Sequence, residues 1–150
     1  MKVKTSLVWV ALMGSVSFPL FAAPTQSETL TSSALVRCYE QSGENLTKKQ
    51  ACIKKELKAV QEEYKNITER VLVLAKIKDK ANKNRETWNS MIRADQNFDA
   101  FVRYQCKFDG QMSAGNKMAK EMASDICMIG LYRSRSQRLA AHYLQQESIQ

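Results

Sequence analysis

Four cysteines constrain this chain more than any other feature of its sequence: Cys38, Cys52, Cys106 and Cys127. An even number of cysteines in an exported chain is typical of a disulfide framework, and four cysteines allow three pairings. We favour Cys38–Cys52 together with Cys106–Cys127, because the members of each pair lie on either side of one predicted helix break. In the chain-entropy model, each bridge would stabilise the fold by about 3 kcal/mol.

Zinc binding is the alternative use of these cysteines, and their spacing does not favour it. The two pairs enclose 13 and 20 residues, whereas zinc-knuckle ligands lie much closer together. His142 is the only histidine available as a further ligand. We therefore predict no metal site and no other cofactor.

The first 22 residues have the organisation of a secretory signal peptide. Met1-Lys2-Val3-Lys4 is positively charged, an uncharged run extends from Leu7 to Leu20, and small residues near Ala22 form a cleavage point. The alternative is a membrane anchor, but the uncharged run is shorter than the roughly 20 residues that a span needs. We predict export to the periplasm or beyond, with cleavage near Ala22 and no transmembrane span in the mature protein.

The remaining chain is long enough for one domain with one core. We predict a flexible leader at 23–30, which contains Pro24, followed by a single helical domain at 31–146. Loss of two lysines with the signal peptide lowers the net charge from +8 to +6. This basic excess makes anionic wall polymer or lipid a candidate partner, whereas an exported chain without a groove-reading motif is not expected to bind nucleic acid.

A long amphipathic helix is predicted after Thr47, which fits a capping box with Gln50. Apolar residues recur at alternating steps of four and three, which is one face of a helix held for several turns. These residues are Ile53, Leu57, Val60, Tyr64, Ile67, Val71 and Leu74. A shorter helix, capped near Thr31, is predicted to precede it and to end at Gly43.

The polar stretch 76–85 has two interpretations. Either the long helix continues through it, or a turn lies near 79–84. We favour the turn, because folding back lets two apolar faces meet. The next helix then carries Trp88 as a core residue, with Phe101 or Val102 also facing inward, and ends at Asp109-Gly110.

A last helix is predicted to begin after Asn116 and to extend beyond Leu139. Arg133, Arg135 and Arg138 cluster near its end. There they either balance the helix dipole or form a candidate rim that contacts anions. No alternating, strand-like pattern occurs, so the sequence predicts an all-α bundle of three to four helices stapled by two disulfides.

Catalytic groups are not recognisable in the chain, and we predict that it is not an enzyme. His142 is the only histidine, so neither a Ser-His-Asp set nor a Cys-His set can be built once the cysteines are paired. No glycine-rich phosphate loop is present. Acidic pairs such as Asp95 and Asp99 are ordinary on helix surfaces.

The order of these features resembles the LprI-type lysozyme inhibitor family, which comprises small exported bacterial helical proteins. The resemblance covers roughly residues 35–142. The positions that carry it are Cys38, Cys52, Leu57, Tyr64, Trp88, Arg103, Cys106, Cys127, Arg135 and Leu139. Tyr132 departs from the pattern, since a small hydroxyl residue is expected there.

The resemblance implies a non-enzymatic protein of the periplasm or cell surface that occludes a protein partner, with lysozyme as the expected partner. Animal lysozymes are usually basic, and so is this chain, so long-range attraction would be lost. Inhibition would then need a local acidic or apolar patch. The acidic candidates are Glu56, Glu62, Glu63, Glu69 and Asp99. The alternative function is that of an envelope or stress protein that binds anionic cell-wall or lipid components through basic helix faces.

Overall fold

A computed structural model describes residues 26–145, with side chains described from residue 34 onward. The predicted signal peptide, its cleavage point and residues 23–25 of the leader lie outside the described residues. Four α-helices follow one another: α1 (Gln26–Ser42), α2 (Leu46–Asn82), α3 (Glu86–Met112) and α4 (Lys117–Leu139). A π-helical turn, Ala140–Leu144, extends α4.

The fold-class prediction is confirmed, because the described residues form helices without strands and contain two disulfides. Helix α1 begins at Gln26. The predicted cap at Thr31 is therefore wrong, and the last residues of the 23–30 segment are helical instead of a flexible leader. Gly43 follows the helix at a positive φ of 51°, which glycine adopts at low cost.

Helix α2 begins two residues earlier than a cap at Thr47 would require. Asn45 is the N-cap, and its side chain accepts a hydrogen bond of 3.0 Å from the Lys48 backbone N–H. The asparagine side-chain oxygen thus has the role that was predicted for the threonine hydroxyl, but toward an N–H group two residues earlier in the chain.

The core lies where the apolar face of α2 meets α3 and α4. Ile53 and Val60 of α2, Val102 of α3 and Ile129 of α4 are each at most 2% exposed. The periodic face predicted for α2 is confirmed, since its members are buried or half-buried. Helix α2 therefore meets the other helices along most of its length.

The chain folds back at residues 83–85, so the predicted turn is confirmed. Lys83 adopts a left-handed conformation with φ 54° and ends α2. Asp79, which is buried, accepts hydrogen bonds from the backbone N–H groups of Thr87 (3.0 Å) and Trp88 (2.9 Å). A carboxylate of one helix therefore caps the next, and Arg85 at the N-cap position makes no side-chain cap bond.

The sequence predicted that α3 ends at Gly110, but this residue lies buried within the helix. The helix continues to Met112, and a Cβ at residue 110 would lie 2.7 Å from the Lys120 carbonyl oxygen. Glycine is therefore needed here because α3 and α4 approach closely. The break comes at Gly115, with φ 107°, and the Asn116 side chain caps α4 as predicted.

Both favoured disulfide pairings are confirmed. Cys38–Cys52 ties α1 to α2, with Cα atoms 5.5 Å apart, and Cys106–Cys127 ties α3 to α4, with Cα atoms 5.4 Å apart. The described chain contains no free cysteine. The two bridges therefore tie α1 to α2 and α3 to α4 covalently, in addition to the packing of the apolar core.

Candidate functional site

The outer face of α3 carries four large apolar residues in a row, which we call the α3 stripe. Phe101, Tyr104, Phe108 and Met112 are 50%, 75%, 56% and 72% exposed. Steps of three, four and four residues place them on one side of the helix, over about 16 Å of its length. The buried residues of α3 lie on the other side: Val102, Cys106 and Gly110.

The α3 stripe has the composition of a protein-contact surface. Uncharged Gln105 and Gln111 lie beside it on the helix, and the charged residues Lys107 and Asp109 flank it. Aromatic residues and methionine are enriched at protein interfaces, and contiguous apolar surface on a folded protein marks interaction sites. Scattered exposed apolar residues need no explanation, but a row of four on one face does.

Sequence reasoning missed this surface, because α3 carries apolar residues on two faces. The pattern left open whether Phe101 or Val102 faces the core, and the structure buries Val102 and exposes Phe101. The steps that link Phe101, Tyr104, Phe108 and Met112 were visible in the sequence as a second helical face. This second face was not recognised because the apolar residues of the buried face lie in the same segment of the sequence.

A second feature is a groove of about 830 Å³ among α2, α3, α4 and the π-helical turn, which we call the basic groove. Buried Val71, Ala75 and Leu139 contribute apolar surface to it. The charged residues that line it are Lys78, Glu86, Arg135 and Arg138, and His142 and Tyr143 lie beside them. Among these, Glu86 is the sole acid.

The three arginines predicted as an anion-contacting rim do not act together. Arg133 forms an ion pair with Glu56 of α2, with both side chains mostly buried. It therefore joins two helices and is not part of the groove lining. Arg135 and Arg138 both line the basic groove.

Arg135 is held against an aromatic ring. Its guanidinium carbon lies 5.5 Å from the centroid of Phe98, at cation–π distance. Its Nε atom is buried and has no hydrogen-bond partner among the described residues. A buried N–H donor normally has an acceptor, so the fold leaves this donor unsatisfied.

A polar pocket of about 370 Å³ lies between α2 and α3, beside Tyr64 and Tyr132. The Tyr64 hydroxyl donates a short hydrogen bond to Asp95, and the Tyr132 hydroxyl donates one of 3.2 Å to Asp99. Burial, followed by the hydrogen bond to Asp95, raises the pKa of Tyr64 well above its usual range. Both carboxylates therefore accept bonds from the aromatic core.

The acidic residues that sequence analysis listed as candidates do not gather into one contact patch. Glu56 pairs with Arg133. Asp99 is bonded to Tyr132, and only Glu69 joins it at the polar pocket. Glu62 and Glu63 are exposed but line none of the grooves described. The sequence analysis named an apolar patch as the alternative to an acidic one, and the α3 stripe is such an apolar patch.

The residues of the family pattern fall into two groups. Leu57, Tyr64 and Leu139 pack in or against the core, and Arg135 contacts Phe98. Trp88 and Arg103 lie further out. Trp88 is half-buried with the Lys76 ammonium 5.9 Å from its ring centroid, so its prediction as a core residue is wrong. Arg103 is exposed on α3.

Tyr132, the departure from the pattern, is a core residue. Its ring centroid lies 5.1 Å from that of Tyr64 and 5.8 Å from that of Phe98. A small hydroxyl residue at this position could not fill the space between α2 and α3. The substitution of a large aromatic residue is therefore accommodated by an aromatic cluster.

The fold and its surfaces define a small all-helical, disulfide-stapled protein with an outward apolar stripe. In comparisons with known proteins, no family model matches the chain, and no curated protein or solved structure matches it significantly. None of the helices within residues 26–145 combines the length and apolar character that crossing a bilayer requires. Within the same range, no cluster of His, Cys, Asp or Glu is arranged to hold a metal ion.

Proposed function

We propose that this protein is an exported, non-enzymatic binding protein of the lysozyme-inhibitor type. It acts by covering a protein partner's cleft, and the α3 stripe is its contact surface. The observation that carries the proposal is the row of four exposed apolar residues on one face of α3. The resemblance to the LprI-type family supplies lysozyme as the partner to test.

An apolar contact surface would allow a basic inhibitor to bind a basic enzyme despite the repulsion between their net charges. Burial of apolar area is favourable whatever the net charge of the partners. Like charges slow the encounter without preventing a short-range apolar contact. We therefore expect association that is slow and becomes faster as salt screens the repulsion.

A stapled bundle supports this mode of binding. Helix α3 is tied to α4 by Cys106–Cys127 and packs against both α2 and α4. A surface that is already rigid loses less conformational entropy on binding. The α3 stripe is therefore presented in a form that needs little ordering.

The test is a titration of lysozyme clearing of a cell-wall suspension with the purified, oxidised protein. We expect inhibition at stoichiometric amounts. The double variant F101S/F108S is expected to weaken inhibition by tenfold or more, since interface aromatic residues each contribute on the order of 2 kcal/mol. No inhibition at large excess of the wild-type protein would remove lysozyme as the partner.

The matched control is V73S/I77S, which removes two apolar residues that are 55% and 61% exposed on α2. It makes the same kind of change away from the α3 stripe. We expect its inhibition curve to overlay that of the wild type. Equal loss in both double variants would show that the stripe is not the contact surface.

The binding of anionic wall polymer or lipid by basic helix faces stays a second hypothesis. The observation that favours it is the lining of the basic groove, where Lys78, Arg135 and Arg138 face one acid, Glu86. Salt-sensitive binding to anionic vesicles or peptidoglycan would support it. Failure to bind either at low salt would contradict it.

A further inference from the structure

We infer that the basic groove is a binding site for a single-chain amphiphilic carboxylate of the fatty-acid type. The inference is independent of lysozyme inhibition. It shares with the second hypothesis of the preceding section only the negative charge of the ligand. It differs in the ligand class, because a flat basic surface would not select an amphiphile with a single acyl chain.

The size and lining of the groove suit a small amphiphile. Its volume of about 830 Å³ falls in the range of about 300–1,000 Å³ that is typical of small-molecule sites. Apolar side chains from three helices line it: Val71, Leu74, Ala75, Met91, Ala94 and Leu139. An acyl chain can lie on this surface and remove it from water.

The charges of the groove select an anionic head group. Lys78 comes from α2, whereas Arg135 and Arg138 come from α4, so the cations converge from two helices. Glu86 is the one acid in the lining, which leaves a positive excess. A cationic or zwitterionic head group would lose this attraction.

Arg135 supplies a specific place for the carboxylate. Its side chain lines the groove, and its guanidinium is fixed against Phe98. Arginine binds carboxylates in a fixed fork geometry, so a guanidinium held in this position can pair with the carboxylate of a ligand in the groove.

The lining of the groove favours a monomeric amphiphile over a lipid that stays in a bilayer. The groove lies between packed helices whose buried residues, such as Val71 and Leu139, form its inner surface. Lipids in a bilayer present head groups to a protein surface while their chains stay in the membrane. A site with apolar lining and a basic rim instead matches a monomeric acyl carboxylate that enters whole.

The experiment measures laurate binding to the oxidised full chain by isothermal titration calorimetry, below the micelle-forming concentration. We expect saturable binding of one laurate per chain. Dodecyltrimethylammonium has the same chain length and the opposite charge, and we expect no saturable binding of it. Equal binding of both amphiphiles, or no saturable laurate binding, would overturn the proposal.

Two exposed cations of the lining allow a test that leaves the fold intact. The variant K78E/R138E is expected to weaken laurate binding at least tenfold, while K55E/K58E, which changes net charge equally at exposed positions of α2, is expected to bind as the wild type does. Equal weakening in both variants would show that only net charge matters, and would overturn the assignment of the groove as the binding site.

The apolar part of the site is tested separately. Ala94 is exposed and lines the groove, so A94F places a ring in it without changing charge. A81F makes the same change at an exposed residue of α2 outside the groove lining. We expect A94F to lose laurate binding and A81F to bind laurate as the wild type does. Laurate binding in A94F with unchanged affinity would contradict the assignment.

Anionic vesicles provide the arm that separates this inference from the second hypothesis. Vesicle binding without laurate binding would support the basic-surface hypothesis and contradict the proposed groove site. Laurate binding without vesicle binding would support the groove site and remove the surface hypothesis. Lysozyme inhibition, measured in the same preparations, is expected to persist in K78E/R138E, because the α3 stripe is unchanged.

Discussion

At the scale of single residues, the polar atoms near the core decide which side chains can be changed. Tyr64 is 6% exposed, and its hydroxyl donates to Asp95. Tyr132 repeats the arrangement with Asp99 one helical turn further along α3. These two pairs anchor α3 to α2 and α4 through carboxylates that sequence analysis could read only as surface acids.

Tyr64→Phe tests this interpretation. The change keeps the ring in the aromatic cluster but removes the donor to Asp95, and we expect a loss of about 1–2 kcal/mol in the free energy of unfolding. Urea unfolding measures it. Tyr104→Phe is the control, since that residue is 75% exposed, and a change within about 0.5 kcal/mol is expected. Equal effects of the two substitutions would contradict the role of the Tyr64–Asp95 bond.

At the scale of helices, the sequence predicted periodic faces better than it predicted their ends. The α2 face from Ile53 to Leu74 was found because steps of four and three are unambiguous over many turns. The cap at Asn45 and the role of Gly110 were missed, since a glycine within a helix can signal either an end or a close helix contact. That distinction depends on a neighbouring helix, which local sequence does not contain.

The candidate surfaces were predicted even less completely, for a related reason. The α3 stripe lies in a segment with two apolar faces, and only packing decides which face turns outward. The arginine cluster was recognised, but Arg133 could not be separated from Arg135 and Arg138 without knowing that Glu56 faces it across the bundle. Partners that lie far apart in the chain are not visible in spacing.

The α2–α3 turn provides the prediction at this scale. Burial tends to raise the pKa of Asp79, but the N–H donors of Trp88 and Thr87 outweigh it and lower the pKa from its ordinary value of 3.8. A depressed carboxylate pKa stabilises the fold above the unfolded-state value, and this stabilisation is lost as pH falls through the folded-state pKa.

Asp79→Asn is therefore expected to lower the thermal midpoint at neutral pH, because an amide oxygen replaces a carboxylate that accepts two bonds. The difference from wild type should shrink as pH falls below the ordinary aspartate range. Differential scanning calorimetry across acid pH measures it, with the exposed substitution Glu62→Gln as control. A difference that is constant with pH would show that the charge of Asp79 is not involved.

At the scale of the whole molecule, the protein is a bundle of helices that two disulfides hold together and that presents preformed contact surfaces. Loops of 14 and 21 residues are closed by the bridges. Each is expected to contribute on the order of 3 kcal/mol, comparable with a large part of a small domain's stability. Bridges of this kind are typical of proteins outside a reducing cytoplasm, which fits the predicted export.

The most direct test of this description is peptide mapping of the purified, unreduced protein by mass spectrometry. We expect two linked peptide pairs, one joining Cys38 to Cys52 and the other joining Cys106 to Cys127. Reduction should separate both pairs. A bridge between the first and second halves of the chain, or four unpaired thiols in the folded protein, would contradict it.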